Sequence, residues 1–271
     1  MTITVDLENA AALLSKASRT VASCGAGISA ESGIATFRDA GGLWDRIDPI
    51  AVGTPAGLVN TLKQNAAVLL PLFLELLDSF EQASPNPGHR ALADLEAMGI
   101  LTTVITQNVD NLHQEAGNTD VIEVHGNLFR MKCLACETVS TYDRKQLIGE
   151  TRKRLTSLTA FTLDALTALV PKCPACGFIS RPDVVMFSEA VQDLPRAFEV
   201  SGNCDVMLVL GTSGVVYPAA SFPLEAKRAG ARVIVINPTE NAFSSITDLY
   251  IPMKTGEALP AIVDLIRKNG P

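Results

Sequence analysis

The chain has 271 residues, 47% of them hydrophobic and 19% charged, with a formal net charge of −7 at pH 7. That length suffices for one large core, or for one core carrying a small module, and the acidic balance excludes a general binder of nucleic-acid backbones, which needs a basic surface. The longest apolar stretch, Ala66 to Leu77, is interrupted by Pro71 and Glu75 and is too short to span a bilayer, so no membrane segment is expected.

The opening residues, MTITVDLENAAALLSKAS, carry acids and one lysine before Arg19, unlike a signal peptide or an Arg-rich transit peptide. The expectation is a nuclear or cytoplasmic location, with a mitochondrial one left open. Leu7–Lys16 reads as a helix, and the apolar run from Arg19 to Cys24 as a buried strand. A glycine-studded loop follows, GAGISAESGIATFRDAGGLW. Gly25, Gly27 and Ala30 satisfy a G-x-G-x-x-G/A fingerprint, in which small residues let backbone N–H groups approach a pyrophosphate at a helix N-terminus. An ordinary dinucleotide unit would next give a second strand. None is evident before Pro55, so the loop is expected to be elaborated and to cover a ligand. Residues 44–84 are apolar and helical in pattern, and read as a lid beside that loop.

Pro87–Met98 reads as a helix with Asn86 as its N-cap. Leu101–Ile105, Val206–Leu210 and Arg232–Ile236 are short β-branched runs that alternate with helical patterns, including Tyr217–Ala229 and Glu257–Lys268. Such alternation predicts an α/β fold: a Rossmann-like parallel sheet with helices on both faces. Polar residues follow each strand, at the carboxyl end where open sheets bind ligands: Gln107, Asn108, Val109 and Asp110 after the second, Gly211-Thr212-Ser213 and Asn237-Pro238-Thr239 after the later two. Turn formation and helix capping are the bland reading of such residues, and the flanking Gln107 and downstream His125 weigh against it for Asn108 and Asp110.

Cys133 and Cys136 form one C-x-x-C knuckle, and Cys173 and Cys176 a second. Two knuckles without an adjacent redox βαβ pattern fit a closed, structural tetrahedral zinc site better than a pair of redox dithiols. Cys24 and Cys204 are expected to be buried as small hydrophobes. Between the knuckles, Leu155, Leu158, Leu166 and Leu169 recur at near-helical spacing and predict a helix packed back on the module, with Arg152-Lys153-Arg154 as a solvated face.

The ordered blocks GAGISAESGIATFRD, TQNVDNLH, Val124-His125-Gly126, the two cysteine knuckles, RPDVVMFSE, GTSGVVYPAA and INPTE make the chain resemble the sirtuins, NAD-dependent protein-lysine deacylases. The resemblance runs from about Arg19 to about Pro260. The phrases Gly41-Gly42-Leu43-Trp44, Gly53-Thr54-Pro55 and Val215-Val216-Tyr217-Pro218-Ala219-Ala220 most resemble the branch that includes bacterial deacylases and the mitochondrial desuccinylase. The implied organisation is a single domain: residues 1–43, 85–130 and 179–271 form the NAD-binding core, 44–84 the lid and 131–178 the zinc module.

The resemblance implies that an acyl-lysine oxygen attacks the nicotinamide ribose, giving nicotinamide, O-acyl-ADP-ribose and free lysine. His125 is then the general base, Asn108 orients the ribose and a water, and Asp110 holds the carboxamide. It also implies NAD contacts from Gly25, Ala26, Gly27, Ser29, Glu31, Thr36, Phe37, Arg38, Trp44, Gln107, Val109, Gly211, Thr212, Ser213, Asn237, Pro238, Thr239 and Thr255. Val184, Val185, Met186, Phe187, Gly214 and Val215 would take an extended acyl-lysine protein or peptide, histones among the candidates, as an added strand. His89 and His113 read as structural. A protein mono-ADP-ribosyltransferase and a non-catalytic NAD- or acyl-peptide-binding module stay open as alternatives.

Three departures stand out. Ala35 replaces a usual proline and Ser188 a usual glycine, which bears on loop stiffness and on positive φ. Phe73 and Leu76 occupy the places where desuccinylases carry a Tyr-x-x-Arg pair. A buried acyl carboxylate needs a charged partner, so succinyl-lysine is expected to be a poor substrate and acetyl or a longer apolar chain to be preferred.

Overall fold

The computed structural model describes residues 2–36, 46–158 and 162–269, apart from the side chains of Thr2 and residues 65–68. Elements run in the order α1 (Thr2–Lys16), β1 (Thr20–Cys24), α2 (Pro49–Gly53), α3 (Pro55–Gln82), α4 (Pro87–Ala97), β2 (Leu101–Thr106), α5 (Leu112–Ala116), β3 (Val121–Glu123), β4 (Gly126–Cys133), β5 (Val139–Thr141), α6 (Arg144–Thr156), α7 (Leu163–Leu169), β6 (Ser180–Val184), α8 (Leu194–Gly202), β7 (Val206–Leu210), α9 (Ser221–Arg228), β8 (Arg232–Ile236), β9 (Leu249–Ile251) and α10 (Thr255–Asn269). Two short 3₁₀ turns, Ala26–Ile28 and Ala30–Ser32, follow β1.

Six strands pair in parallel in the order β3-β2-β1-β7-β8-β9. Alternate residues of the central strands leave the sheet on opposite sides, as a two-residue period requires. Ala22, Cys24, Leu208, Leu210, Ile234 and Ile236 pack with Ala10 and Leu14 of α1, Leu92 and Leu95 of α4, and Leu259, Ile262 and Ile266 of α10. Val21, Met207, Val209, Val233 and Val235 pack instead with Ala197 of α8 and Phe222 and Ala226 of α9. The predicted parallel sheet with two helical faces is therefore present. Burying both faces explains why its strands read as continuous apolar runs.

The chain moves from β1 toward β2 and β3 on one side and from β7 toward β8 and β9 on the other. The reversal lies beside β1 and β7, and a crevice opens at such a switch point beyond the carboxyl ends of the strands. A second, antiparallel sheet, β5-β4-β6, carries the cysteine knuckles at its ends. Gly126 begins it at φ +80, and a Cβ there would lie 1.9 Å from the Asp183 carbonyl oxygen, so only glycine lets β4 meet β6 this closely.

Several boundaries differ from expectation. The helix placed at Tyr217–Ala229 begins only at Ser221, because residues 217–220 form a turn in which Ala220 N–H donates to the Val216 carbonyl at 2.8 Å. The single helix expected between the knuckles is two, α6 and α7, the second capped by the Thr162 hydroxyl. Arg152 is not simply solvated: it pairs with Asp78 and Glu81 of α3. Asn86 caps α4 as expected, its side-chain oxygen accepting from Gly88 and His89 N–H. No described helix is long and apolar enough to cross a membrane.

Candidate active site

Three loops meet at the switch point. Gly25 N–H donates to the Leu210 carbonyl at 3.0 Å, Gly27 N–H to the Gly211 carbonyl at 2.8 Å, and Gln107 N–H to the Cys24 carbonyl at 3.0 Å. A Cβ on Gly27 would lie 2.8 Å from Gly211 Cα, and one on Gly211 would lie 2.3 Å from Ile28 N. The glycines thus permit the turns after β1 and β7 to interlock, a demand that the fingerprint alone does not reveal. Thr212 joins the same seam, its hydroxyl 3.4 Å from Gln107 Nε2.

Inside this junction Ser29, Asn108 and Asp110 are 1%, 8% and 4% exposed. The Ser29 hydroxyl donates to Asp110 Oδ2 at 2.6 Å and accepts from Asn108 Nδ2 at 3.0 Å. A hydroxyl has one proton, so His89 Nε2, 3.4 Å away, can meet it only as a donor. Asn108 Nδ2 also donates to the Gly25 carbonyl at 3.2 Å. Asp110 Oδ1 accepts from Leu112 N–H at 3.0 Å and so caps α5, which Asn111 enters at φ 64. Burial pushes the Asp110 carboxyl above its ordinary range, a rise opposed by its hydrogen bond from Ser29.

His125 sits between β3 and β4. Its Nδ1 is 3.0 Å from the Gln107 carbonyl, which can only accept, so Nδ1 carries the proton and Nε2 is left as the basic nitrogen. Burial lowers the pKa of this ring, and the Gln107 contact partly offsets the drop. The His125 carbonyl accepts from Val185 N–H at 2.8 Å, tying the start of residues 185–187 to His125. Phe187 N–H donates to the Gly53 carbonyl at the end of α2 at 2.8 Å, and Met186 N–H donates to Glu189. Ser188 holds φ 73, the left-handed conformation that the usual glycine would adopt without cost. Phe187, Val215 and Tyr217 are exposed large apolar side chains; Val184 and Met186 are half-buried, and Gly214 backs onto the Phe243 ring.

The adenosine-side residues are placed differently. Asn237 Nδ2 donates to the Thr239 carbonyl at 2.6 Å in a turn whose Pro238 and Thr239 are exposed. Ser213 is exposed, and its carbonyl accepts from Ala242. Glu31 accepts from Gly256 N–H at 2.9 Å and pins the glycine turn to α10, while Thr255 is buried. Ala26, Thr36 and Val109 are half-buried. Phe37, Arg38 and Trp44 lie outside the described residues. Phe73 and Leu76 are half-buried on α3, next to Glu75, which pairs with Arg46 at 2.5 Å.

Sequence reasoning missed Asn86 and His89 as members of this junction. Asn86 Nδ2 donates to the Ile28 carbonyl at 2.7 Å and to Ser32 at 3.0 Å, binding the glycine turn to α4. The P-N-P-G-H phrase signalled the helix start but not this contact across the chain. His113 is buried, its ring 4.9 Å from that of His89.

The four cysteine sulfurs lie within 4.8 Å of one another, with Cys133–Cys176 at 3.5 Å and Cys136–Cys173 at 3.6 Å. Tetrahedral Zn–S bonds of about 2.3 Å put sulfurs roughly 3.8 Å apart. The set therefore fits zinc with four thiolate ligands. A dinucleotide also fits the switch-point crevice, because Asp110 is met by one hydroxyl and one amide and retains acceptor capacity for a carboxamide N–H.

The Sir2 family model matches residues 25–218. A protein from Desulfosudis oleivorans named NAD-dependent protein deacylase is 56% identical over 262 residues, 97% of this chain and 96% of that protein. Among solved structures, a Sir2 homolog–NAD complex is 36% identical with a TM-score of 0.78, covering 97% of this chain and 94% of the other. The structure of Sir2Af2 bound to a myristoylated histone peptide is 33% identical with a TM-score of 0.71, covering 98% of each. Agreement of sequence and fold over almost the full length establishes that this chain belongs to the Sir2 family.

Proposed function

We propose that the chain is an NAD-dependent protein-lysine deacylase whose reaction centre is the junction of Ser29, Asn108, Asp110 and His125. The observation that carries this reading is the buried hydrogen-bonded set Ser29–Asp110–Asn108, joined through Gln107 to a histidine with a free basic nitrogen. Bound NAD supplies a nicotinamide–ribose bond whose breaking builds positive charge at the anomeric carbon. Asp110 accepts from the carboxamide and fixes that end of the cofactor. Asn108, held by Ser29 and Gly25, orients the ribose. His125 takes a proton from a ribose hydroxyl at Nε2 while Nδ1 stays bonded to Gln107, so the ring need not turn during the transfer. The zinc site is structural, since four thiolates leave no open position.

The peptide lies as an added strand between residues 184–187 and 214–217, supported by the exposed apolar Phe187, Val215 and Tyr217. The acyl chain is apolar. Lys63 is the one basic residue of α3, Phe73 and Leu76 hold the Tyr-x-x-Arg places, and Arg46 is already neutralised by Glu75. The related myristoyl-peptide complex supports the same reading. Incubating acetyl-, myristoyl- and succinyl-lysine peptides with NAD, followed by mass detection, tests it. Free-lysine peptide and O-acyl-ADP-ribose should form from the first two. Fast desuccinylation would overturn the acyl assignment, and ADP-ribosylated protein without deacylation would overturn the reaction assignment.

A further inference from the structure

Arg144 is an internal cation with an unusual set of partners. It is the first residue of α6, in the segment inserted between the two cysteine pairs, and its side chain is 9% exposed. Nη1 donates to the carbonyls of Phe80 at 2.8 Å and Ala83 at 2.7 Å, at the end of the lid helix α3. Nη2 donates to Glu115 Oε2 of α5 at 2.8 Å. One planar guanidinium thus joins three helices. Its charge sits where the carbonyls at the end of α3 leave partial negative charge. Helix α5 has only five residues, and its first turn is capped by Asp110. Clamping Glu115 therefore fixes the orientation of the helix whose first N–H, that of Leu112, bonds the Asp110 carboxylate. A second tether, Arg152 to Asp78 and Glu81 Oε2 (the latter 2.5 Å), binds α6 along the same lid helix.

We propose that Arg144 is a positioning residue: it transmits the placement of the zinc module and the lid helix to Asp110, and thereby sets how tightly the nicotinamide end of NAD is held. This rests on the reading above that Asp110 acts on the carboxamide. Burying a cation in exchange for one carboxylate and two helix-end carbonyls costs desolvation that stability alone does not repay, since such clusters are often matched by apolar residues. Placement of α5 is what the arrangement adds.

The test uses the full zinc-loaded chain and the variants Arg144→Met, Arg144→Lys and Glu115→Gln, with Asp110→Asn as the reference. Arg144→Met and Glu115→Gln should each raise the KM for NAD and the inhibition constant for nicotinamide about five- to tenfold. Arg144→Lys should lie between wild type and Met, because an ammonium keeps the charge but lacks the planar fork whose two nitrogens reach Phe80, Ala83 and Glu115. The KM for acyl peptide and the zinc content should stay unchanged. Nicotinamide inhibition within twofold of wild type in folded Arg144→Met would overturn the proposal, as would an equal rise in the KM values for NAD and peptide. If Arg144→Met does not fold, Glu115→Gln decides by the same criteria. An Asp110→Asn variant with normal nicotinamide inhibition would instead sink the reading of Asp110 itself.

Discussion

The two walls of the cleft are built in opposite ways. On the β1–β2 side, Ser29, Asn108 and Asp110 are buried and bonded to one another. On the β8 side, Asn237 is half-buried and tied to Ile251 and Tyr250 through its main chain, while Pro238 and Thr239 form an exposed turn. Groups ordered in a low-dielectric site before the reaction act on charge that develops in the transition state. Groups in an exposed turn contribute to binding the ground and transition states alike. The first wall should govern turnover and the second affinity.

The largest break in that comparison is His125→Ala. Loss of a positioned base is expected to cut deacylation about 10²- to 10⁴-fold, with the melting temperature little changed, as measured by product formation beside a thermal scan. Metal removal comes next. The small sheet begins at Gly126, directly after His125, and no strand of that sheet pairs with β8. Chelation should therefore abolish turnover while ADP-ribose binding by calorimetry weakens far less. Equal loss of both would show that the walls depend on the metal alike.

Ser29→Ala sharpens the contrast with Asn237→Ala. The first leaves Asp110 and Asn108 each short of a buried partner, a cost of about 1–3 kcal/mol, so kcat should fall roughly tenfold or more and the protein should melt earlier. The second should raise the KM for NAD only about two- to fivefold at constant kcat. A kcat defect in Asn237→Ala as large as that of Ser29→Ala would erase the distinction.

The smallest effect is in pH. If His125 works unprotonated, burial, which lowers its pKa, should place the midpoint of the acid limb of kcat/KM below 6.5. An acid limb centred above 6.5 would contradict this. His89, pushed down to about 4 by burial, and His113, which burial and the neighbouring His89 hold well below the ordinary histidine range, favour the neutral form in the fold. Their contribution to stability is full above the unfolded value near 6.5 and fades as pH drops from there through 4. The raised Asp110 carboxyl works in the opposite direction.

Much of this architecture was legible because it is local. The central strands announce themselves by unbroken apolar runs, and the cysteine knuckles by their spacing. The edge strands Val121–Glu123 and Leu249–Ile251 have three residues each, too few to show a period. Strand Gly126–Cys133 alternates buried and half-buried residues along most of its length, yet its charged outward positions hide it. The site residues were visible as polar strand ends, whereas the pairing of Ser29 with Asp110, and of Arg144 with Phe80, Ala83 and Glu115, joins distant segments that no local pattern links.

Nicotinamide release with and without an acetyl-lysine peptide tests the central claim most directly, because the buried wall should break the glycosidic bond only when an acyl oxygen is present to receive the ribose. The expected result is release that depends on peptide, one nicotinamide for each lysine freed, and strongly reduced in Asp110→Asn. Equal release without peptide, or release undiminished in Asp110→Asn, would contradict the account.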